Sequence, residues 1–302
     1  EGFSRINVKI KTETESEING TGPEISESDL NKLCEKLDEI KDGDVLLAAK
    51  TWTDQTVSRA IPKRGAVYVD YVAEIGGKLY QSLQEAFDDA DNQTIVLDHD
   101  LVVEEPVVVA SGKTAVLDLN GNTLSAVATS SAASRLIAVQ SGAVLTIRNG
   151  SIVYAATTPD TQWGGEGQPP YPGYANNTIT NQGELTIEGA YLENMTLKGG
   201  ASYVIDNYTG AKLTIGNGTV INQSGGDVAI RMFNGSAGEI DVTINGGEIT
   251  GYRAVWIQLA SNNAAIAPIM KLTVNGGVLT SSDPTYHQTV YSYSYGNDMK
   301  NV

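Results

Sequence analysis

Apolar residues flank a single threonine at regular intervals along the second half of the chain. Successive copies of this tripeptide start 28 to 30 residues apart, except for one interval of 40 residues. Tripeptides of β-forming residues with a period of this size predict a solenoid, in which each repeat contributes one rung. The copies are Leu145-Thr146-Ile147, Leu185-Thr186-Ile187, Leu213-Thr214-Ile215, Val242-Thr243-Ile244 and Leu272-Thr273-Val274, with a variant at Leu117-Asp118-Leu119.

Each tripeptide is followed, five positions later, by another apolar residue, and an Asn-Gly pair stands in most of the intervals. Asn and Gly tolerate the left-handed backbone of a tight bend, so the pattern predicts a corner of constant length. A third apolar segment completes each repeat. The apolar residues after the corner are Leu124, Ile152, Leu192, Val220, Ile249 and Leu279, and those of the third segment are Ile137, Val139, Ile179, Val204, Val228, Ile230, Val255, Ile257 and Val290.

The sequence before the repeats divides into smaller elements. Residues 1–24 are predicted to contain a short strand at residues 3–12, with Ile6, Val8 and Ile10 on one face, and an acidic linker that starts at residue 12 and extends to residue 27. Residues 25–64 are predicted to be a helix and an extended connection that together form an attachment or assembly module. Residues 65–302 form the repeat domain. Ser82 and Glu85 predict a capping box, hence a short helix that covers the first rung.

Aromatic residues mark the candidate binding positions. The long interval contains an insertion at 155–176 that is rich in Pro, Gly and aromatic residues. Exposed aromatic rings beside carboxylates suit the stacking of a sugar ring and hydrogen bonding to its hydroxyls, and they equally suit contact with a sister subunit. The candidates are Trp163, Tyr171, Tyr174, Asp160 and Glu166 in the insertion, Trp256 in a strand with its ring pointing outward, and Tyr291, Tyr293 and Tyr295 on one face near the end.

The net charge narrows the range of partners. With 36 acidic and 20 basic residues, the chain has a formal charge of −16, which argues against nucleic acid and anionic membrane as partners. No apolar run reaches the roughly 20 residues of a membrane span. The single cysteine, Cys34, excludes an intrachain disulfide and lies in the helix predicted from Leu30, Leu33, Leu37 and Ile40.

Residues 80–124, together with the repeated Leu-Thr-Ile and Asn-Gly segments, resemble the capping helix and first rungs of right-handed parallel β-helices of the pectate-lyase-like superfamily. The resemblance covers about residues 67–302 and is closest to repeat proteins of gut bacterial surfaces and of phage virions. It implies an all-β fold with three short strands per rung and an extracellular location. Residues 2–10 are also similar to short segments of phage virion proteins.

The catalytic sets of this superfamily are not recognisable in the chain. Neither His99 nor His287 precedes a glycine, and no Arg-Ile-Lys motif is present. We therefore expect no catalytic residues, no metal site and no cofactor. An alternative is a tailspike-like polysaccharide hydrolase or lyase, which requires two carboxylates about 5–10 Å apart. The acidic residues available for such a pair are Asp206, Asp227, Asp241, Glu239 and Glu248.

These observations favour a non-enzymatic extracellular fibre or decoration protein of a phage particle or bacterial surface. By analogy with phage β-helix fibres, the expected oligomer is a homotrimer. The N-terminal segment is expected to attach to a virion or surface scaffold while the rod projects and contacts glycans. A glycan-binding adhesin without turnover is the third hypothesis.

Overall fold

The computed structural model describes residues 5–11, 15–21, 71–128, 135–156, 176–196, 202–259 and 268–294. The chain divides into two compact units, Glu1–Asp70 and Tyr71–Val302. The predicted helix near Cys34 and the extended connection that follows it lie outside the described residues.

The described part of the first unit is a two-stranded antiparallel hairpin of β1 (Arg5–Lys11) and β2 (Glu15–Thr21). Its register pairs Val8 with Ile18. The first strand was predicted, whereas the prediction of a linker from residue 12 onward was wrong for Glu15–Thr21. A strand with a single partner does not require an alternation of apolar and polar residues, and this segment is polar and contains Gly20.

The second unit begins with two short strands and a helix, and continues as a succession of short strands. The first elements are β3 (Ala73–Ile75), β4 (Lys78–Tyr80) and α1 (Leu83–Asp89). The strands that follow are β5 (Gln93–Leu97), β6 (Leu101–Val102), β7 (Val107–Val109), β8 (Thr114–Asp118), β9 (Thr123–Ala128), β10 (Arg135–Val139), β11 (Val144–Arg148), β12 (Ser151–Ala156), β13 (Asn177–Asn181), β14 (Glu184–Glu188), β15 (Tyr191–Asn194), β16 (Ile205–Tyr208), β17 (Lys212–Ile215), β18 (Val220–Gln223), β19 (Val228–Asn234), β20 (Gly238–Ile244), β21 (Glu248–Gly251), β22 (Arg253–Leu259), β23 (Pro268–Val274), β24 (Val278–Ser281) and β25 (Val290–Ser294).

From β5 onward the strands are distributed over three sheets, and each sheet takes every third strand of the chain. We name them the threonine sheet (β5, β8, β11, β14, β17, β20, β23), the corner sheet (β6, β9, β12, β15, β18, β21, β24) and the aromatic sheet (β7, β10, β13, β16, β19, β22, β25). All neighbours within these strand sets pair in parallel, and β3 and β4 extend the threonine sheet with antiparallel pairs. This all-β arrangement of stacked parallel strands is compatible with a parallel β-helix.

The threonine sheet aligns the repeated tripeptides in register. Thr146 pairs with Thr186, and the column continues through Thr214, Thr243 and Thr273. These threonines are half-buried, whereas the flanking Leu145 and Ile147 are fully buried. The vertical alignment predicted from the sequence is therefore confirmed.

The variant copy was placed two residues too late. The register pairs Ala115, Val116 and Leu117 with the tripeptide at Leu145, so Leu117-Asp118-Leu119 is not the sixth copy. Leu117 and Leu119 are both fully buried, and the small Ala115 gives a weaker apolar signal than Leu119. Alternation by two residues therefore fits either choice, and only the backbone pairing distinguishes them.

The corner sheet preserves the predicted columns with one correction. Leu124, Ile152, Leu192, Ile249 and Leu279 align as expected, but the aligned residue between Leu192 and Ile249 is Ile221 rather than Val220. The corner length is therefore not constant. Left-handed backbone occurs at Asn120, Gly121, Asn149 and Gly218, as the Asn-Gly pattern predicts, but at Gly247 and Gly277 in the later corners.

Inward-facing residues of successive strands form two columns across the aromatic sheet. One column is apolar throughout, and the other contains polar residues. Ile137, Ile179, Ile205, Ile230, Val255 and Val290 align, so Ile205 takes the place that the sequence predicted for Val204. Two residues further along the strands, Asn181 and Asn207 are fully buried, and Asn181 Nδ2 donates to Asn207 Oδ1 over 2.9 Å. This asparagine pair replaces apolar packing at two rungs.

The helix α1 closes one end of the core. The Ser82 side chain accepts a hydrogen bond from the Glu85 backbone N–H at 3.5 Å, as the capping box predicts. Leu83, Ala86 and Phe87 are buried in the same cluster as Ile95 and Leu97. The first rung is therefore covered rather than exposed.

Candidate ligand-binding face

The structure brings three of the predicted binding residues together on the aromatic sheet. Trp256 lies in β22, and Tyr291 and Tyr293 lie in the neighbouring β25. The other predicted residues, Trp163, Tyr171, Tyr174, Asp160, Glu166 and Tyr295, lie outside the described residues.

The three rings follow one another across the sheet. Trp256 is paired with Tyr291 in the register, and the centroids of their rings are 6.4 Å apart. The ring of Tyr291 is nearly parallel to that of Tyr293, with an interplanar angle of 16° and a centroid distance of 6.4 Å. Tyr293 is 39% exposed, while Trp256 and Tyr291 are half-buried. These rings form an accessible aromatic surface.

A buried ion pair lies next to these rings. Arg231 donates from Nε to Asp206 Oδ1 and from Nη2 to Asp206 Oδ2, each over 2.7 Å. Asp206 also accepts from Asn177 Nδ2 at 2.9 Å, and the remaining donors of Arg231 reach Tyr208 Oη at 3.2 Å and Gln258 Oε1 at 3.3 Å. A bidentate, charge-assisted pair of this kind fixes the geometry of both side chains.

The guanidinium of Arg231 is surrounded by aromatic rings. Its carbon lies 4.3 Å from the centroid of Tyr203, 4.6 Å from that of Phe233 and 5.6 Å from that of Tyr208. Tyr203 in turn meets Trp256 edge to face at 6.3 Å. Arg231 is thus connected to the accessible rings through Tyr203, and cation–π contacts with desolvated rings are favourable.

Burial affects the acid–base properties of this group of side chains. Burial tends to lower the pKa of Arg231, but the charge of Asp206 and the hydrogen bonds to it outweigh this effect and raise that pKa above its ordinary value. Burial also raises the pKa of Tyr203, and it raises the pKa of Tyr208 to about 12. The guanidinium is therefore charged and both phenols are neutral at physiological pH.

Strand alternation explains how these residues reach one face. Along β13, β16, β19, β22 and β25, side chains alternate between the two inward columns and two outward columns. The first column contains Thr180, Asp206, Arg231, Trp256 and Tyr291, and the second contains Tyr208, Phe233, Gln258 and Tyr293.

Sequence reasoning identified Trp256, Tyr291 and Tyr293 but missed the Asp206–Arg231 pair and the rings around it. The signal that could have found this pair is the position in the repeat. Asp206 and Arg231 each directly follow an isoleucine of the inward column, as Trp256 follows Val255.

Four buried polar atoms near this face have no hydrogen-bond partner among the residues that the structure describes. They are Trp256 Nε1, Arg253 Nε, Ser202 Oγ and Asn177 Oδ1. An unpaired buried donor or acceptor costs about 1–3 kcal/mol, and such groups are uncommon in folded proteins.

The candidate carboxylates of a hydrolase do not converge. Asp206 lies on the aromatic sheet, Glu239 and Asp241 on the threonine sheet, and Glu248 on the corner sheet. Asp206 and Asp241 are paired with Arg231 and Lys271, respectively. The carboxylate of Asp227 accepts from the backbone N–H groups of Ser202 and Val228. Within the described ranges, no group of three or more His, Cys, Asp or Glu side chains is placed to hold a metal ion.

Comparisons with known proteins give one short similarity. The chain is 46% identical over 48 residues to 1-phosphofructokinase of Bacillus subtilis (strain 168), which is 16% of this chain and 16% of that protein. The chain thus spans far less than two thirds of the length of this relative. Neither a protein-family model nor a solved structure matches the chain. In the part of the chain that the structure describes, no helix has both the length and the apolar character to cross a membrane.

Proposed function

We propose that this protein is an extracellular rod of a phage particle or bacterial surface that binds glycans through the aromatic sheet without cleaving them. In this proposal the repeat domain is a right-handed parallel β-helix with three strands per rung. The single observation that supports glycan binding is the row formed by Trp256, Tyr291 and Tyr293, with the last ring 39% exposed.

The chemistry of sugars explains why such a surface suits them. The C–H faces of a pyranose pack on aromatic rings, and nearby polar groups fix its orientation by hydrogen bonding to its hydroxyls. The rings are held on a sheet, where Tyr203 contacts Trp256 edge to face and the guanidinium of Arg231 lies over Tyr203. A rigid surface loses little conformational entropy when a ligand binds.

Binding without turnover is the better proposal because the acids are already engaged or separated. A glycosidase needs a proton donor and a second carboxylate across one cleft. Here Asp206 is held by Arg231, and the remaining candidates lie on other sheets or support backbone N–H groups. The hydrolase or lyase alternative therefore has no observation in its favour.

The N-terminal unit is proposed to attach the rod to a virion or surface scaffold, and the assembly is proposed to be a homotrimer by analogy with phage β-helix fibres. Light scattering tests the trimer, and a monodisperse monomer would remove it. The similarity to a phosphofructokinase covers 48 residues, which is too short a segment to suggest kinase activity for this chain.

The glycan-binding proposal is tested on an array of bacterial and host glycans. Tyr293→Ala removes an exposed ring and is expected to weaken binding about tenfold, the size of one favourable aromatic contact. Trp256→Ala is expected to abolish binding. Tyr191→Ala is the control, because Tyr191 is a half-buried tyrosine on the corner sheet.

Binding that is unchanged in both Tyr293→Ala and Trp256→Ala would refute this face as the glycan site. Incubation of the bound glycans with the wild-type protein is expected to release neither reducing ends nor unsaturated products. Release of either would support the enzyme alternative instead.

A further inference from the structure

The second arginine near the aromatic rings differs from Arg231 in its partners. The guanidinium carbon of Arg253 lies 4.0 Å from the centroid of Tyr291 and 5.2 Å from that of Tyr252. Its Nη2 donates to the neutral Gln288 Oε1 at 3.3 Å, and its Nε has no acceptor. Arg253 is therefore a cation beside the accessible rings whose donors are only partly used.

No carboxylate of the described residues lies within ion-pair distance of Arg253. Five other described basic residues have such a partner: Lys78, Arg148, Lys212, Arg231 and Lys271. The charge of Asp283 acts on Arg253 from beyond ion-pair distance, and that carboxylate already accepts from the backbone of Thr285 and Tyr286. In a chain with 36 acidic residues, a cation without a close carboxylate at a binding face requires an explanation.

We propose that the ligand of the aromatic face carries an oxyanion, a carboxylate or a sulfate, and that Arg253 binds it. This inference rests on the proposed glycan-binding function and adds the chemical class of the glycan. The guanidinium of Arg253 lies over the face of Tyr291, and the ring of Tyr293 lies 6.4 Å from that of Tyr291, so a sugar ring that packs on the exposed Tyr293 lies beside this cation. A guanidinium binds carboxylates and sulfates through paired, charge-assisted hydrogen bonds.

The unpaired donor of Trp256 supports the same location. Trp256 contacts Tyr291 from the side of β22, and its Nε1–H has no acceptor. Two unused donors, Arg253 Nε and Trp256 Nε1, thus flank one tyrosine. Both atoms are buried, so a ligand reaches them only if the side chains shift on binding. A ligand rich in oxygen acceptors satisfies this chemistry, whereas an apolar peptide does not.

The test compares matched glycans on the full-length protein by isothermal titration calorimetry. The probes are a hyaluronan hexasaccharide and its carboxyl-reduced form, and a chondroitin 4-sulfate hexasaccharide and its desulfated form. The wild type is expected to bind at least one anionic member about tenfold more tightly than its matched form, the contribution of one hydrogen bond between charged groups. The pair that shows the difference identifies the oxyanion.

Arg253→Gln removes the charge and is expected to abolish that preference, so that the anionic form and its matched form bind with equal affinity. Arg135→Gln is the control, because Arg135 is an exposed arginine on the aromatic sheet, four strands from β22 and hence roughly 19 Å away. It changes the net charge equally and is expected to have no effect.

Equal affinity of the wild type for both members of each pair would overturn the role of Arg253 and leave glycan binding intact. So would an Arg253→Gln variant that keeps the preference. If none of the four probes and no glycan on the array binds, the oxyanion proposal and the glycan-binding function both fail.

Discussion

Arg231 is the residue at which most contacts of the aromatic sheet meet. It is paired with Asp206, donates to Tyr208 and Gln258, and contacts three aromatic rings. A buried ion pair is not in itself a strong source of stability, because desolvation of the two charges offsets their attraction. Its effect here is geometric, since the fixed guanidinium packs on Tyr203, whose ring contacts Trp256.

Loss of only one member of this pair is expected to be costly. Arg231→Met leaves the Asp206 carboxylate buried without a counter-charge and should lower the free energy of unfolding by about 3–5 kcal/mol. Adding Asp206→Asn removes the buried charge and should restore at least about 2 kcal/mol of this loss. Urea denaturation followed by tryptophan fluorescence measures both effects. A double variant no more stable than Arg231→Met would show that the unpaired charge is not the cause.

At the scale of single residues, the sequence predicts aromatic positions better than polar ones. Trp256 and the alternating tyrosines stand out in the chain because large rings are rare on outward positions of a repeat. Asp206 and Arg231 do not stand out, because they are 25 positions apart in the chain and an ion pair between neighbouring strands depends on a register that only the fold reveals. The buried pair Asn181–Asn207 was missed for the same reason.

The corners between the threonine and corner sheets are the elements whose sequence signal was clearest. Asn120 and Asn149 adopt left-handed backbone, as the Asn-Gly pairs predict. Yet the number of residues in the corner varies, because Leu117 is followed by Leu124 and Ile215 by Ile221 in the aligned columns. The Asn-Gly signal of a corner is local and can be derived from the sequence. The length of the corner cannot, because an extra residue there leaves the apolar–polar pattern of both flanking strands unchanged.

Asp118 connects two successive corners. It accepts from the Asn120 backbone N–H at 3.0 Å, from Arg148 Nε at 2.9 Å and from Asn149 Nδ2 at 3.1 Å. Partial burial tends to raise the pKa of Asp118, but the hydrogen bonds from Asn120, Asn149 and Arg148 outweigh this effect and hold the pKa below its usual range.

Because the pKa of Asp118 is lower in the folded state than in the unfolded chain, its contribution to stability is complete above about pH 4 and is lost as the pH falls through the folded-state pKa. Asp118→Asn should therefore be less stable than the wild type at pH 5, and the difference should shrink towards pH 2. Thermal unfolding across this range measures it, with Asp91→Asn, an exposed carboxylate, as the control. A constant difference between pH 5 and pH 2 would contradict the assignment.

At the scale of the molecule, the repeat period predicted stacked parallel strands, and this prediction is confirmed. The repeat period gives the number of residues per rung directly. The two-residue error in the position of the variant tripeptide therefore does not change the predicted architecture. The candidate binding face was only partly predictable, because it depends on which outward columns lie on the same sheet. Trp256 and Tyr291 are 35 positions apart in the chain but are neighbours across two strands.

The core of the repeat domain extends from Val72 to Met270. In a solenoid, each rung is stabilised mainly by its neighbours and by the caps. A fragment of residues 71–302 retains β3, β4 and α1 and is therefore expected to fold alone, with the β-sheet circular dichroism of the full chain and a Tm within a few degrees of it.

A fragment of residues 91–302 loses Leu83 and Phe87 and exposes Ile95 and Leu97 at the first rung. Burial of each such side chain contributes about 1.5–3 kcal/mol, so the shorter fragment should melt at a clearly lower temperature and be cleaved faster by protease. Equal melting of the two fragments would mean that α1 does not cap the core, and an unfolded 71–302 fragment would mean that the first unit is required for the repeats to fold.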